Sequence, residues 1–94
     1  MTTYRSQVRV IADLLRAVRE GDDEGGAKVS VLLRKANMSY SRMTELTEQL
    51  VEKGLLIKVP VERGSLYRLS DKGREFLSSM ETFERFAEAY GLRL

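Results

Sequence analysis

The sequence predicts a small, mostly helical α+β domain, and three observations point there. Apolar residues recur at three- and four-residue steps in four separate stretches, the period of a helix with one buried face. Two short runs rich in branched and aromatic residues, 55–59 and 65–69, break that period in the manner of strands. Between the stretches stand glycine, proline, asparagine and serine, which stop helices and turn chains. At 94 residues the chain has room for one core.

The first helix covers 5–20. Val8, Ile11, Leu14, Leu15 and Val18 make its apolar stripe, and Arg5, Arg9, Arg16 and Arg19 fill the other faces. GDDEGG, 21–26, cannot continue a helix and reads as an exposed acidic loop. A second helix follows over about 27–35, burying Val29, Leu32, Leu33 and Ala36. Asn37 tolerates left-handed backbone and suits the turn that ends it. Ser39 is a good N-cap for the third helix, 40–53, and Met38 stands at hydrophobic-staple spacing from Met43. Met43, Leu46, Leu50 and Val51 form that helix's inner stripe, and Gly54 ends it. PVERGS, 60–65, joins the two strands, with Pro60 and Gly64 suited to a connection of several residues. Ser70 caps the last helix, 71–90, which carries Phe76, Leu77, Met80, Phe83, Phe86, Ala87 and Tyr90.

Helix, helix, turn, helix, strand, hairpin and strand make a winged helix-turn-helix of three helices and a two-stranded β wing, 1–70. The segment 71–94 adds a C-terminal amphipathic helix, partly covering the core and partly available for dimerisation.

Composition narrows the function classes. The apolar fraction of 43% and charged fraction of 32% are ordinary for a globular domain. No apolar run approaches the roughly 18 residues that span a bilayer, and MTTYRSQVRV lacks a signal-type apolar region. The expectation is a cytoplasmic, nucleoid-associated protein with no membrane partner. With neither Cys nor His, there is no disulfide and no thiolate nucleophile. A zinc site would need carboxylates alone, and the commonest general base is missing. No phosphate-cradling loop or nucleophile–base pair is visible, so no enzyme, cofactor, metal or small-molecule ligand is expected.

Two stretches carry a family resemblance. NMSYSRMTELTEQLVEKGLL, from Asn37, and YRLSDKGREFL, from Tyr67, resemble the small archaeal winged-helix DNA-binding proteins of about ten kilodaltons. The resemblance runs from about residue 5 to residue 86. EKGLL and LSDKGREFL also occur in other winged-helix regulators, and the segment 37–41 is what points to the archaeal group. The resemblance implies a homodimer in which the last helix pairs with its mate as an antiparallel coiled coil. This chain stops four residues after Tyr90, so its last helix is expected to be shorter than the family's long rod.

A helix-turn-helix lays its second helix in the major groove of double-stranded DNA. That helix is 40–53, with Tyr40, Ser41, Arg42, Thr44, Glu45, Thr47 and Glu48 facing outward. Its first turn enters deepest, so Tyr40, Ser41, Arg42 and Glu45 are the candidates for base edges, Arg42 gripping a guanine in bidentate fashion. The Ser39, Ser41 and Thr44 hydroxyls reach base or phosphate, and the helix N-terminus itself favours a phosphate. The helix is net negative, since Glu45, Glu48 and Glu52 outnumber Arg42 and Lys53. Positive charge lies instead on 28–35 (Lys28, Arg34, Lys35), on the wing (Lys58, Arg63, Arg68) and on helix 5–20. Phosphate contacts are therefore expected from Lys28, Lys35, Lys58, Arg63 and Arg68, with Arg63 at the wing tip reaching backbone or minor groove. A plainer reading of the same residues makes Arg42 and Glu45 a solvated pair, Tyr40 a lid on the turn, and Arg63 an ordinary hairpin residue.

In the last helix Phe76, Met80, Phe83, Ala87 and Tyr90 repeat at three- and four-residue steps. At about 1.5 Å per residue the helix outruns so small a domain. Met80, Phe83, Phe86, Ala87 and Tyr90 are then the candidate interface of a twofold dimer, presenting two reading helices to a palindromic site. The rival reading is a protein-interaction module in a transcription or assembly complex, favoured by the acidic outer face of helix 40–53.

Overall fold

The computed structural model describes residues 5–23 and 25–92, with side chains from residue 8 onward. Seven elements follow in order: α1 (Arg5–Gly21), β1 (Ala27–Lys28), α2 (Val29–Ala36), α3 (Tyr40–Glu52), β2 (Leu56–Val61), β3 (Gly64–Leu69) and α4 (Asp71–Ala89). The strands form one antiparallel sheet in the order β1-β3-β2. This is the predicted architecture with one strand added.

The added strand corrects the start of the second helix. Ala27 and Lys28 pair with Tyr67 and Leu66 instead of opening α2. The far edge of β3 offers unpaired backbone groups, and Ala27 is fully buried against it. A two-residue strand leaves no periodicity to read in a sequence. The preceding loop is also less exposed than its composition implies. Asp22 and Asp23 face solvent, but Gly26 is buried, and a Cβ there would collide with Leu66.

The hairpin is tighter than predicted. β2 and β3 pair from Leu56 opposite Leu69 to Val61 opposite Gly64, leaving only Glu62 and Arg63 as the turn. Pro60 sits inside β2 opposite Ser65, a position open to proline because β2 is an edge strand. Gly64 at φ +114° supplies the backbone that closes the turn. Leu55 lies before the strand: its N–H donates to the Leu50 carbonyl, and its own carbonyl accepts from the Ser70 N–H.

The core joins Leu14, Leu15 and Val18 of α1, Leu32 of α2, Met43, Leu46 and Leu50 of α3, Leu56, Tyr67 and Leu69 of the sheet, and Leu77 of α4. Ala12 and Ala17 are buried too, whereas Val8 is half exposed, because the core lies against the C-terminal half of α1. Met38, at its staple position, packs on the core beside the buried Met43. Thr47 departs from the outward placement predicted for it. It is buried, and its Oγ1 donates to the Thr44 carbonyl at 3.1 Å, so the hydroxyl is satisfied inside the helix.

Two punctuation residues act as the sequence predicts. Asn37 adopts left-handed backbone, φ 55°, and its N–H bonds back to Leu33. Ser39 caps α3 by accepting from the Arg42 N–H.

α4 is fixed at two places. At its start, the Ser70 hydroxyl accepts from the Gly73 N–H at 2.9 Å and donates to the Gly54 carbonyl at 2.6 Å, tying the head of α4 to the tail of α3. Gly73 has no room for a Cβ, because the Leu55 carbonyl occupies that space. Farther along, α4 meets α1 through charges. Arg16 reaches Glu81 at 3.2 Å and Glu84 at 3.3 Å, Arg9 reaches Glu84 at 3.3 Å, and Arg19 reaches Glu81 at 3.0 Å. Asp13 completes the cluster beside Arg9 and Arg16. Hydrogen bonds from Arg19 hold the Glu81 carboxyl below its usual pKa, outweighing its partial burial, and the same contact raises Arg19. No described helix is long and apolar enough to cross a membrane.

Candidate nucleic-acid interface

α3 presents its first turns to solvent because Met43, Leu46, Thr47 and Leu50 take its inner face. Tyr40, Ser41, Arg42, Glu45 and Glu48 are exposed, with Tyr40 at 64%. Ser39, Ser41, Arg42, Thr44, Glu45 and Glu48 line one open concavity along this face. Arg42 and Glu45 are not an ion pair: among the described residues no carboxylate lies within 4.0 Å of the Arg42 guanidinium. Ser39 spends its hydroxyl oxygen on the cap, and Thr44 donates to the Ser41 carbonyl at 3.0 Å. Thr44 thus has its donor occupied within the helix, whereas the Ser39 proton is still free to donate.

The cations divide into two groups. Lys28, Arg34, Lys58 and Arg63 are exposed and have no carboxylate within 4.0 Å among the described residues. Lys35 stands 3.8 Å from Glu20, and Arg68 stands 3.6 Å from Asp22. Lys58 is opposite Tyr67 in the hairpin, so it faces the cleft that α3 lines with Glu45, Glu48, Gln49 and Glu52. Arg68, by register, points to the other side of the sheet. The wing cations thus do not form one patch, and only Arg63 stands at the tip. The positive charge counted on α1 is also not free, since Arg9, Arg16 and Arg19 are held by Asp13, Glu81 and Glu84. The α4 carboxylates responsible were passed over in the sequence, where nothing says which helix they meet. Glu48 was likewise missing from the expected base-reading group, although it borders the same concavity as Arg42.

The candidate dimer residues also divide. Phe83, Phe86 and Tyr90 are exposed at 52%, 59% and 68%, and the Phe86 and Tyr90 rings stand edge to face with centroids 5.0 Å apart. Met80 packs against the chain's own core. Ala87 is buried within the single chain and is unavailable to a partner, a correction to its expected place. Leu92, missed by the helical periodicity because it lies beyond the helix end, joins the exposed apolar group.

A family model described as winged helix-turn-helix matches residues 4–88. The chain belongs to that family. Solved winged-helix structures agree with it. Sso10a-2, a DNA-binding protein from Sulfolobus solfataricus, superposes with a TM-score of 0.74 at 21% identity, covering 92% of this chain and 85% of that one. AF1382 from Archaeoglobus fulgidus gives 0.71 at 16% identity, covering 84% and 87%. The MarR family transcriptional regulator SPO1453 from Silicibacter pomeroyi gives 0.66 at 27% identity, and there this chain covers 92% of itself but 62% of the regulator. The resemblance to small archaeal winged-helix proteins is thus met at the level of the fold. No curated protein matches the chain in sequence. Within the winged helix-turn-helix family, α2 and α3 are the helix-turn-helix, and β2 and β3 are the wing.

Proposed function

We propose that the chain binds double-stranded DNA as a homodimeric transcription regulator or chromatin-type protein, with α3 in the major groove and the Glu62–Arg63 turn on the backbone or minor groove. The observation that carries this reading is the exposed first turn of α3. Ser41, Arg42 and Glu45 line one open concavity on a helix that follows a tight turn, Tyr40 is exposed at its start, and Arg42 is unpaired among the described residues. Lys28, Arg34 and Arg63 supply free cations on the neighbouring elements. The likeness to a DNA-binding protein and to a transcriptional regulator supports the same reading. Self-association is supported by Phe83, Phe86 and Tyr90, which a single chain leaves exposed.

A gel-shift series tests it. Arg63→Ala and Arg34→Ala weaken binding to every duplex, because a phosphate contact carries no sequence information. Arg42→Ala alters the choice among duplexes. The reading fails if all three substitutions leave binding as it was.

One observation favours a protein-interaction module instead. Ile57 and Val61 lie half exposed on the face of the hairpin turned away from Tyr67, an apolar strip that a phosphate backbone does not need. On that reading the chain binds no duplex even at low salt.

A further inference from the structure

Resting on the DNA-binding reading above, we infer that this chain is a sequence-selective reader rather than a general coat for DNA, and that Arg42 and Glu45 together select a guanine and a neighbouring cytosine.

The base each side chain selects follows from what it is able to accept or donate. A guanidinium only donates, and in the major groove guanine alone offers two adjacent acceptors, N7 and O6. A carboxylate only accepts, so it is repelled by N7, O6 and thymine O4, and is satisfied by the amino groups of cytosine or adenine. Adenine's amino group sits beside N7, which opposes the second carboxylate oxygen, whereas the cytosine amino group has no acceptor on that side. Glu45 therefore favours cytosine. Arg42 and Glu45 are three residues apart, about 4.5 Å along the helix axis. On one helix face at that separation, the two side chains reach the same short stretch of pairs when the helix lies in the groove. Both are exposed, both line the same concavity, and they are not spent on one another.

The electrostatics of the rest of the molecule favour selection over unspecific attraction. Glu45, Glu48 and Glu52 continue along α3 and line the cleft it shares with Lys58. Carboxylates in that position oppose a phosphate wall and so weaken attraction to DNA of any sequence. Meanwhile Arg9, Arg16 and Arg19 are paired to α4 and Asp13, and Lys35 and Arg68 stand near Glu20 and Asp22. On β1, α2 and the hairpin, the cations left unpaired among the described residues are Lys28, Arg34, Lys58 and Arg63. A protein that coats DNA indiscriminately draws its affinity from just such cations, and here Glu45, Glu48 and Glu52 on the reading helix offset them.

The test is selection by the full chain from a pool of duplexes with randomised positions, followed by titration of the selected duplex and its single-pair substitutions. The expected result is a preferred site containing a G and a nearby C, with replacement of either weakening binding about tenfold, within the range such contacts command. Glu45→Gln moves the preference at the second position from cytosine towards adenine, because an amide both accepts and donates and pairs with adenine N6 and N7. Glu75→Gln, at an exposed carboxylate on α4, leaves both the base choice and the affinity unchanged. These side chains are exposed, and an unchanged thermal melt shows that each variant is folded. Equal binding of all duplexes by the wild type, within twofold, overturns the inference and leaves DNA binding standing. Selectivity that Glu45→Gln does not move overturns the role of Glu45. No duplex binding at all overturns the reading beneath it.

Discussion

Ser70 and Gly73 show how much a single residue decides in this fold. One hydroxyl caps α4 and holds the end of α3, accepting from Gly73 and donating to Gly54. Ser70→Ala removes both bonds and is expected to cost about 1–2 kcal/mol of stability, read from the midpoint of urea unfolding. Gly73→Ala is expected to cost more, since its Cβ meets the Leu55 carbonyl and the backbone itself must shift. A melt of Gly73→Ala at the wild-type temperature would contradict the packing described. Ser70 was legible as a cap from its place before a helical stripe, and Asn37 as a left-handed residue from its place after one. The need for glycine at 73 was not, because it depends on a carbonyl delivered by a distant turn. Thr47 was misplaced for a related reason: helical spacing identifies a face but not where that face ends, and its hydroxyl finds the Thr44 carbonyl instead of water.

Among elements, the contact between α1 and α4 is the one that solution conditions should change. Leu77 anchors the early part of α4 in the core, but the later turns meet α1 through Arg9, Arg16 and Arg19 on Glu81 and Glu84. Such partly exposed pairs are individually weak, and their cooperation as a network gives them weight. The Glu81 carboxyl is depressed in the folded state. Its stabilisation is therefore present above the unfolded value of about 4.3 and is lost as pH falls through the folded value below it. Amide exchange in the second half of α4 should accelerate as pH drops through that range, after correction for intrinsic rates, and should accelerate with added salt at neutral pH. Protection independent of both would show that apolar packing alone holds the helix. Every helix and both long strands were legible from periodicity and punctuation. β1 was not, since two residues carry no period. The hairpin was predicted too loose because Pro60 was read as a breaker, although an edge strand accommodates it.

At the scale of the whole molecule, the described residues extend 48 × 28 × 22 Å. α4, with 19 residues, is about 28 Å long, and it leaves Phe83, Phe86 and Tyr90 outside the core. A twofold partner is the occupant proposed for that face, so Phe83→Asp with Phe86→Asp should convert a dimer to a monomer in analytical ultracentrifugation. A wild-type chain that sediments as a monomer at high concentration would remove the dimer. The exposed aromatics were legible because a long helix must outrun a small core, whereas Ala87 was assigned to the interface by spacing alone and is covered by its own chain. Charge was the least legible property. The sequence shows which segments are basic, but only the fold shows that Arg9, Arg16 and Arg19 of α1 face α4 carboxylates. The central claim, that this winged helix binds duplex DNA, is tested most directly by titrating the full chain with a random-sequence duplex at increasing salt and following fluorescence anisotropy. Binding at low salt is expected, falling linearly on a log–log plot with a slope of about −0.9 per phosphate contacted. No binding at the lowest salt would contradict it.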